Sequence, residues 1–179
     1  MGMNHLFKRF RRDIIGLIWL SIGIFLGLAL YSYHPSDPSF NSVGAGLTVQ
    51  NYCGYFGSFL SDSFYQIVGL ASWIFVLSAF RMSYHSFLGR ETHFGKLRIL
   101  WAGLLILTCS SLGALYFPET KFFNENILVG GSLGYLLTHG LVSVFNFAGV
   151  AVILWTLASV LVVFYTERPL SDLFRLPWR

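Results

Sequence analysis

The chain has 179 residues, of which 55% are hydrophobic and 18% aromatic while only 11% are charged; its mean hydropathy is +0.63. A typical soluble domain is about 25% charged, and disorder needs more charge and less apolar content still. The composition therefore excludes a disordered chain and speaks against an ordinary soluble globule, which leaves a membrane protein as the starting expectation.

Residues 1–13 hold Lys8, Arg9, Arg11 and Arg12 against Asp13. Four basic charges beside an apolar run are what membrane topology requires, so this cluster reads as a topology signal before it reads as a lipid or nucleic-acid patch. From Ile14 to Ser36 there is no Asp, Glu, Lys or Arg. That run matches the roughly 20 apolar residues needed to cross a ~30 Å hydrocarbon core. It is longer than a secretory h-region, and Leu30-Tyr31-Ser32-Tyr33 lacks the small residues of a cleavage site. We read an uncleaved anchor, with the first span at about 14–33. Gly16, Gly23 and Gly27 fall on one face of it, the kind of small-residue stripe that lets helix backbones approach in lipid.

The two prolines of Tyr33-His34-Pro35-Ser36-Asp37-Pro38-Ser39-Phe40 end that helix. His34 stands alone at the turn and reads as a surface histidine. Residues 51–61 form a short Gly-rich outer helix, with Gly54, Gly57 and Ser61 near one face. It leads into a second span at about 64–80. Arg81–Arg98 reads as a basic loop, and a third span follows at about 99–117. The charge-free run from Asn126 to Thr166 is twice the length of one crossing. It divides into a second outer helix at about 129–139 and a fourth span at about 142–164. The tail 166–179 carries Leu170, Leu173 and Phe174 at helical spacing and suits the inner membrane surface.

Lys and Arg number 4 in residues 1–13, none in 34–62, 4 in 81–98, 1 in 118–125 and 3 in 166–179. This alternation is the positive-inside pattern, with both termini cytoplasmic, and an even number of spans agrees with it. Gly54, Gly57, Leu60 and Phe64 match Gly131, Gly134, Leu137 and Leu141 at a constant offset of 77, and Gly27–Tyr31 echoes Gly113–Phe117. The expected fold is therefore an all-α membrane protein of four spans. It is arranged as two tandem units of span, outer short helix and span, a parallel repeat.

Reactive machinery is hard to find. The span cores as drawn contain no Asp, Glu, Lys or Arg, which argues against an ion path. Asn146 and Gln66 are placed to bond between helices, and Ser72, Ser78, Thr108, Ser110, Ser111, Thr156 and Ser159 suit packing. Cys53 belongs to the outer side and Cys109 to the third span, so no disulfide between them and no metal site is expected. Gly89–Lys96 imitates a phosphate loop, but its glycine spacing is one residue too long and no Ser or Thr follows Lys96. No catalytic, cofactor-binding or metal-binding residues are assigned. Two other readings stay open: a transporter or channel subunit, motivated by the repeat, and a membrane enzyme using His34, Asp37, Asp62 or His139.

The turn Tyr33–Phe40 resembles the DPS-aromatic signature of the FtsK/SpoIIIE DNA translocases, and Gly54-Tyr-Phe-Gly57-Ser-Phe-Leu60 and Gly131-Ser-Leu-Gly134 resemble that family's following blocks. The resemblance covers essentially the whole chain, as an N-terminal four-span membrane domain. It implies an inner-membrane anchor at the division septum that contacts other cell-division proteins and lipids and assembles as a homo-oligomer, a hexamer in that family. It also implies a cytoplasmic N-terminus at 1–13, a membrane domain at 14–165 and, at 166–179, the start of a linker to a motor absent from this chain. ATP, magnesium and double-stranded DNA would be handled by that motor. The chain's end at Arg179 is then expected to be a truncation.

Overall fold

A computed structural model describes residues 3–40, 48–89, 97–123 and 127–167. The expected tail helix at Leu170–Phe174 and the phosphate-loop imitation between Gly89 and Lys96 lie largely or wholly outside the described residues. The elements are α1 (Met3–Tyr31), α2 (Gly54–Val68), a 3-10 turn (Gly69–Ser72), α3 (Trp73–Phe87), α4 (Leu97–Tyr116), β1 (Lys121–Phe122), β2 (Ile127–Leu128) and α5 (Gly131–Thr166). The two strands form a small antiparallel ribbon in which Lys121 faces Leu128 and Phe122 faces Ile127. Everything else regular is helical. Four helices are long and apolar enough to cross a membrane: Arg9–Tyr31, Gly54–Phe87, Ile99–Tyr116 and Gly131–Thr166.

The glycine stripe of α1 is a packing face, and its partner is α3. A methyl group added at Gly16 would lie 2.8 Å from the Phe87 ring, one at Gly23 would lie 3.2 Å from Phe80, and one at Gly27 would lie 3.5 Å from Val76. Small residues bring the two backbones close enough for Ser83 Oγ to donate to the Gly16 carbonyl at 2.8 Å and for Ser86 Oγ to donate to that of Arg12 at 2.7 Å. Arg81 and its neighbours up to Phe87, assigned from the sequence to a loop, are the last turns of α3. The same logic joins α4 to α5. A side chain at Gly134 would collide with Ser110, and Thr138 Oγ1 donates to the Ser111 carbonyl at 2.9 Å. Further along, Leu115, Val150 and Leu154 form a buried cluster, and Trp101 stacks on Phe164 with ring centroids 4.7 Å apart.

The offset of 77 residues is written into the backbone. Gly54 (φ 65°) and Gly131 (φ 62°) open α2 and α5, while Gly69 (φ 63°) and Asn146 (φ 55°) break the helix after each. Asn146 thus serves through its main chain, because asparagine tolerates a left-handed φ better than most residues. A straight helix over the 36 residues of α5 would be about 54 Å long against a ~30 Å hydrocarbon core, so a break is needed. It falls at Asn146, not near Gly140 where the sequence loses hydrophobicity. In the first copy the break falls after Val68, not near Ser61.

α2 is an inside-out helix. Its buried residues include Gly57, Ser58, Ser61, Asp62 and Tyr65, while Tyr55 and Phe56 face outward. In water this polarity would be reversed. α2 also runs beside the last turns of α1 and, through Ser58 and Phe59, beside Pro38 and Phe40 of the turn that follows. Cys53 Sγ donates to the Phe25 carbonyl at 3.5 Å, the Phe25 and Phe56 rings lie 5.8 Å apart, and Tyr65 Oη donates to the Leu30 carbonyl at 3.1 Å. The short helix expected at 51–61 is thus the first part of a longer one packed on the end of α1.

The two halves meet at the 3-10 turn. Leu70 N–H donates to the Val129 carbonyl at 2.9 Å, and Val68, Ala71 and Ile106 form a buried cluster there. At the opposite end, Arg81 donates to the Thr166 carbonyl at 2.9 Å and its guanidinium lies 5.1 Å from the Tyr165 ring centre. Between these points α1, α3 and α4 leave an apolar cleft of about 350 Å³ that includes Trp19, Phe75 and Ile106 in its walls.

Candidate functional site

The densest polar chemistry in the described residues lies where the turn after α1 meets α2. Asp37 is 3% exposed, and its two carboxylate oxygens accept the backbone N–H groups of Gln50 and Asn51 at 2.8 Å each. Its own N–H donates to the His34 carbonyl at 3.1 Å, and Ser58 Oγ donates to the Pro38 carbonyl at 2.5 Å. The DPS turn is therefore a clasp. An aspartate in a tight turn can reach N–H groups from the far end of a loop, and charge-assisted bonds of this kind are the strong ones. His34 is tied to Ser36 by a 2.7 Å contact between its Nδ1 and the serine hydroxyl.

Asn51 is the second hub. Its amide nitrogen donates to the Ala29 carbonyl at 2.8 Å and to the Ser32 carbonyl and Ser61 Oγ at 3.4 Å. It thereby occupies carbonyls that the end of α1 leaves open. Asp62 was expected on the outer flank; it is 4% exposed within α2. Tyr33 Oη donates to it at 3.0 Å and the Gln66 amide at 3.1 Å. This buried carboxylate is tolerable because donors surround it. Gln66 therefore bonds within its own helix to Asp62. Trp73 Nε1 extends the chain to Tyr65 Oη at 3.1 Å. Around it the rings of Tyr33, Tyr65 and Phe123 meet at 5.0 to 5.3 Å.

Tyr33→Phe is expected to lower stability by about 1–2 kcal/mol at pH 7, since it leaves one side of a buried carboxylate undersupplied. Unfolding of the variant and the parent side by side in detergent measures this, and equal midpoints would refute the role.

The groups singled out for enzyme chemistry do not converge into a catalytic arrangement. His34 and Asp37 serve the clasp, Asp62 is enclosed by Tyr33 and Gln66, and His139 is exposed with its ring 6.1 Å from Tyr135. Among the described residues no group of three His, Cys, Asp or Glu side chains could hold a metal. Cys53 and Cys109 are free thiols, and burial pushes the Cys53 thiol up, away from thiolate reactivity. Of the packing residues, Ser78 accepts from Tyr165 Oη at 2.8 Å, Thr108 Oγ1 donates to the Leu104 carbonyl at 2.8 Å, and Ser159 Oγ donates to that of Trp155 at 2.8 Å. Sequence reading missed Asn51 and Tyr65 as hubs. The signal was present: Ser58, Ser61, Asp62 and Tyr65 recur at helical spacing and mark one polar face of α2.

Four apolar helices clamped by polar clasps at one end define a multi-pass membrane domain. The family described as the 4TM region of DNA translocase FtsK/SpoIIIE matches residues 8–176, and the chain belongs to it. The chain is 32% identical over 151 residues to the DNA translocase FtsK of Rickettsia bellii, covering 84% of this chain and 18% of that protein. It is 31% identical over 123 residues to that of Rickettsia prowazekii, covering 69% and 16%. With the FtsK of Vibrio vulnificus it shares 26% over 136 residues, covering 73% and 13%. The chain thus spans less than a fifth of the length of these relatives. No solved structure matches it.

Proposed function

We propose that this chain is the membrane-anchoring and septum-targeting domain of a bacterial DNA translocase that couples cell division to chromosome segregation. The family match over residues 8–176 carries this reading. In it, both termini lie in the cytoplasm, as the alternation of Lys and Arg supports, and the four spans form two tandem parallel units. The domain assembles as a homo-oligomer, a hexamer by analogy with the family, and touches other division proteins through its outer turns. Its work is mechanical: it holds a motor at the inner membrane of the septum and bears the reaction force as that motor uses ATP and magnesium to pump double-stranded DNA. The buried network around Asp37, Asn51 and Asp62 suits this role because it locks helix ends together.

A fluorescent fusion to this chain, expressed in dividing rod-shaped bacteria, is expected to form a band at the constriction site. Uniform labelling of the whole inner membrane would refute septal targeting.

A further inference from the structure

The two halves of the chain are related by an operation that does not close on itself. If a two-fold axis related them, each contact between them would occur twice, once in each direction. The break at Gly69 is packed on the opening of α5: a methyl group at Gly131 would lie 2.5 Å from the Gly69 nitrogen, and Leu70 N–H donates to the Val129 carbonyl. Shifted by 77 residues, the reciprocal contact would set the break at Asn146 on the opening of α2 at Gly54, with Phe147 N–H donating to the Tyr52 carbonyl. It is not made. Among the described residues nothing lies within 4 Å of a methyl group placed on Gly54, and no other segment supplies a backbone acceptor to Phe147.

Exposure shows the same asymmetry at equivalent positions. Val68 and Val129, at the internal contact, are 6% and 9% exposed. Their counterparts Phe145 and Tyr52 are 50% and 72% exposed. Each half of the chain therefore presents one side of a contact whose complete form sits between the halves.

We infer that a second copy of this chain completes it, the Asn146 break of one copy packing on the Gly54 opening of the next. This specifies the interface of the oligomer proposed above and rests on that reading. The contact is head-to-tail, so copies related by it form a ring if the rotation closes. A parallel repeat suits this, because repetition of the internal step keeps every copy in the same membrane orientation.

The test uses the whole chain in bacterial membranes, with Cys53→Ser and Cys109→Ser as background. Tyr52→Cys and Phe147→Cys are placed singly in two differently tagged copies. A short bifunctional thiol reagent is expected to join the two tags when both copies are present and to give no dimer from either variant alone. The chain carrying both changes is expected to give a ladder. Dimers from a single variant alone would indicate a two-fold contact and overturn the inference. A lysine-reactive reagent is applied in parallel. If it gives oligomers while the thiol pair stays unlinked, the interface lies elsewhere and only the present inference fails. If neither reagent links copies, the oligomeric reading fails with it.

Discussion

Gly69→Val is expected to lower the stability of the folded domain by about 4 kcal/mol, from a left-handed φ that a β-branched residue resists, overpacking, and a lost hydrogen bond. The residue has φ 63°, and an added methyl group would collide with the Val129 carbonyl and lie 2.6 Å from the Gly131 nitrogen. Those atoms are backbone and cannot step aside as a side-chain tip can. Relief requires the halves to part, which breaks the bond from Leu70 to Val129. Equilibrium unfolding in mixed detergent micelles measures the loss, and circular dichroism is expected to show most helix retained, because α1 still packs on α3 and α4 on α5. Gly103→Ala is the control: space around that position is open and its φ is helical, so a change between zero and about 1 kcal/mol of stabilisation is expected. Equal losses at both positions would show that the junction is not special.

Asp37→Ala is expected to cost about 3 kcal/mol, since two charge-assisted bonds to backbone N–H groups disappear and the buried Asn51 N–H is left without an acceptor. Asp37→Asn retains one acceptor oxygen and is expected to lose about half as much. The readout is local as well as global. Cys53 lies two residues beyond Asn51, its N–H bonded to the Asn51 side chain at 3.0 Å and its thiol directed at the Phe25 carbonyl. Opening the clasp exposes that thiol. Alkylation of Cys53 by a membrane-impermeant maleimide is expected to accelerate in the order parent, Asp37→Asn, Asp37→Ala. Unchanged alkylation in all three would remove the clasp from the account.

The presence of four apolar helices was legible because charge is absent from long stretches, and lipid enforces that pattern more strictly than water enforces any other. The matching helix openings at Gly54 and Gly131 were legible because glycines recur there at fixed spacing. Helix ends within the repeat were not. Ser61-Asp62-Ser63 and Thr138-His139-Gly140 interrupt the apolar runs and imitate boundaries, yet both lie inside helices. Asp62 and Thr138 are bonded to neighbouring groups on the buried side, so their polarity marks an interior contact and not an exit from the membrane. The true breaks sit at Gly69 and Asn146, whose common feature is tolerance of a left-handed backbone; the polarity of Asn146 stands out in its run but reads as an interhelical contact and not as a break. The role of the DPS turn was equally hidden, because Asp37 and its partners at Gln50 and Asn51 lie 13 and 14 residues apart in the sequence, beyond any local pattern.

The inverted polarity of α2 bears on how the protein reaches its final state during synthesis. Its Asp62, Ser61 and Tyr65 each bond to a residue already made, at Tyr33, Asn51 and Leu30, while Gln66 and Trp73 supply further donors from the chain that follows. Entering lipid without α1, this segment would carry a carboxylate answered by Gln66 alone and several idle dipoles into a medium that offers them nothing. The first anchor must therefore be seated, and its end still within reach, when residue 62 leaves the ribosome: the order of translation doubles as an assembly instruction.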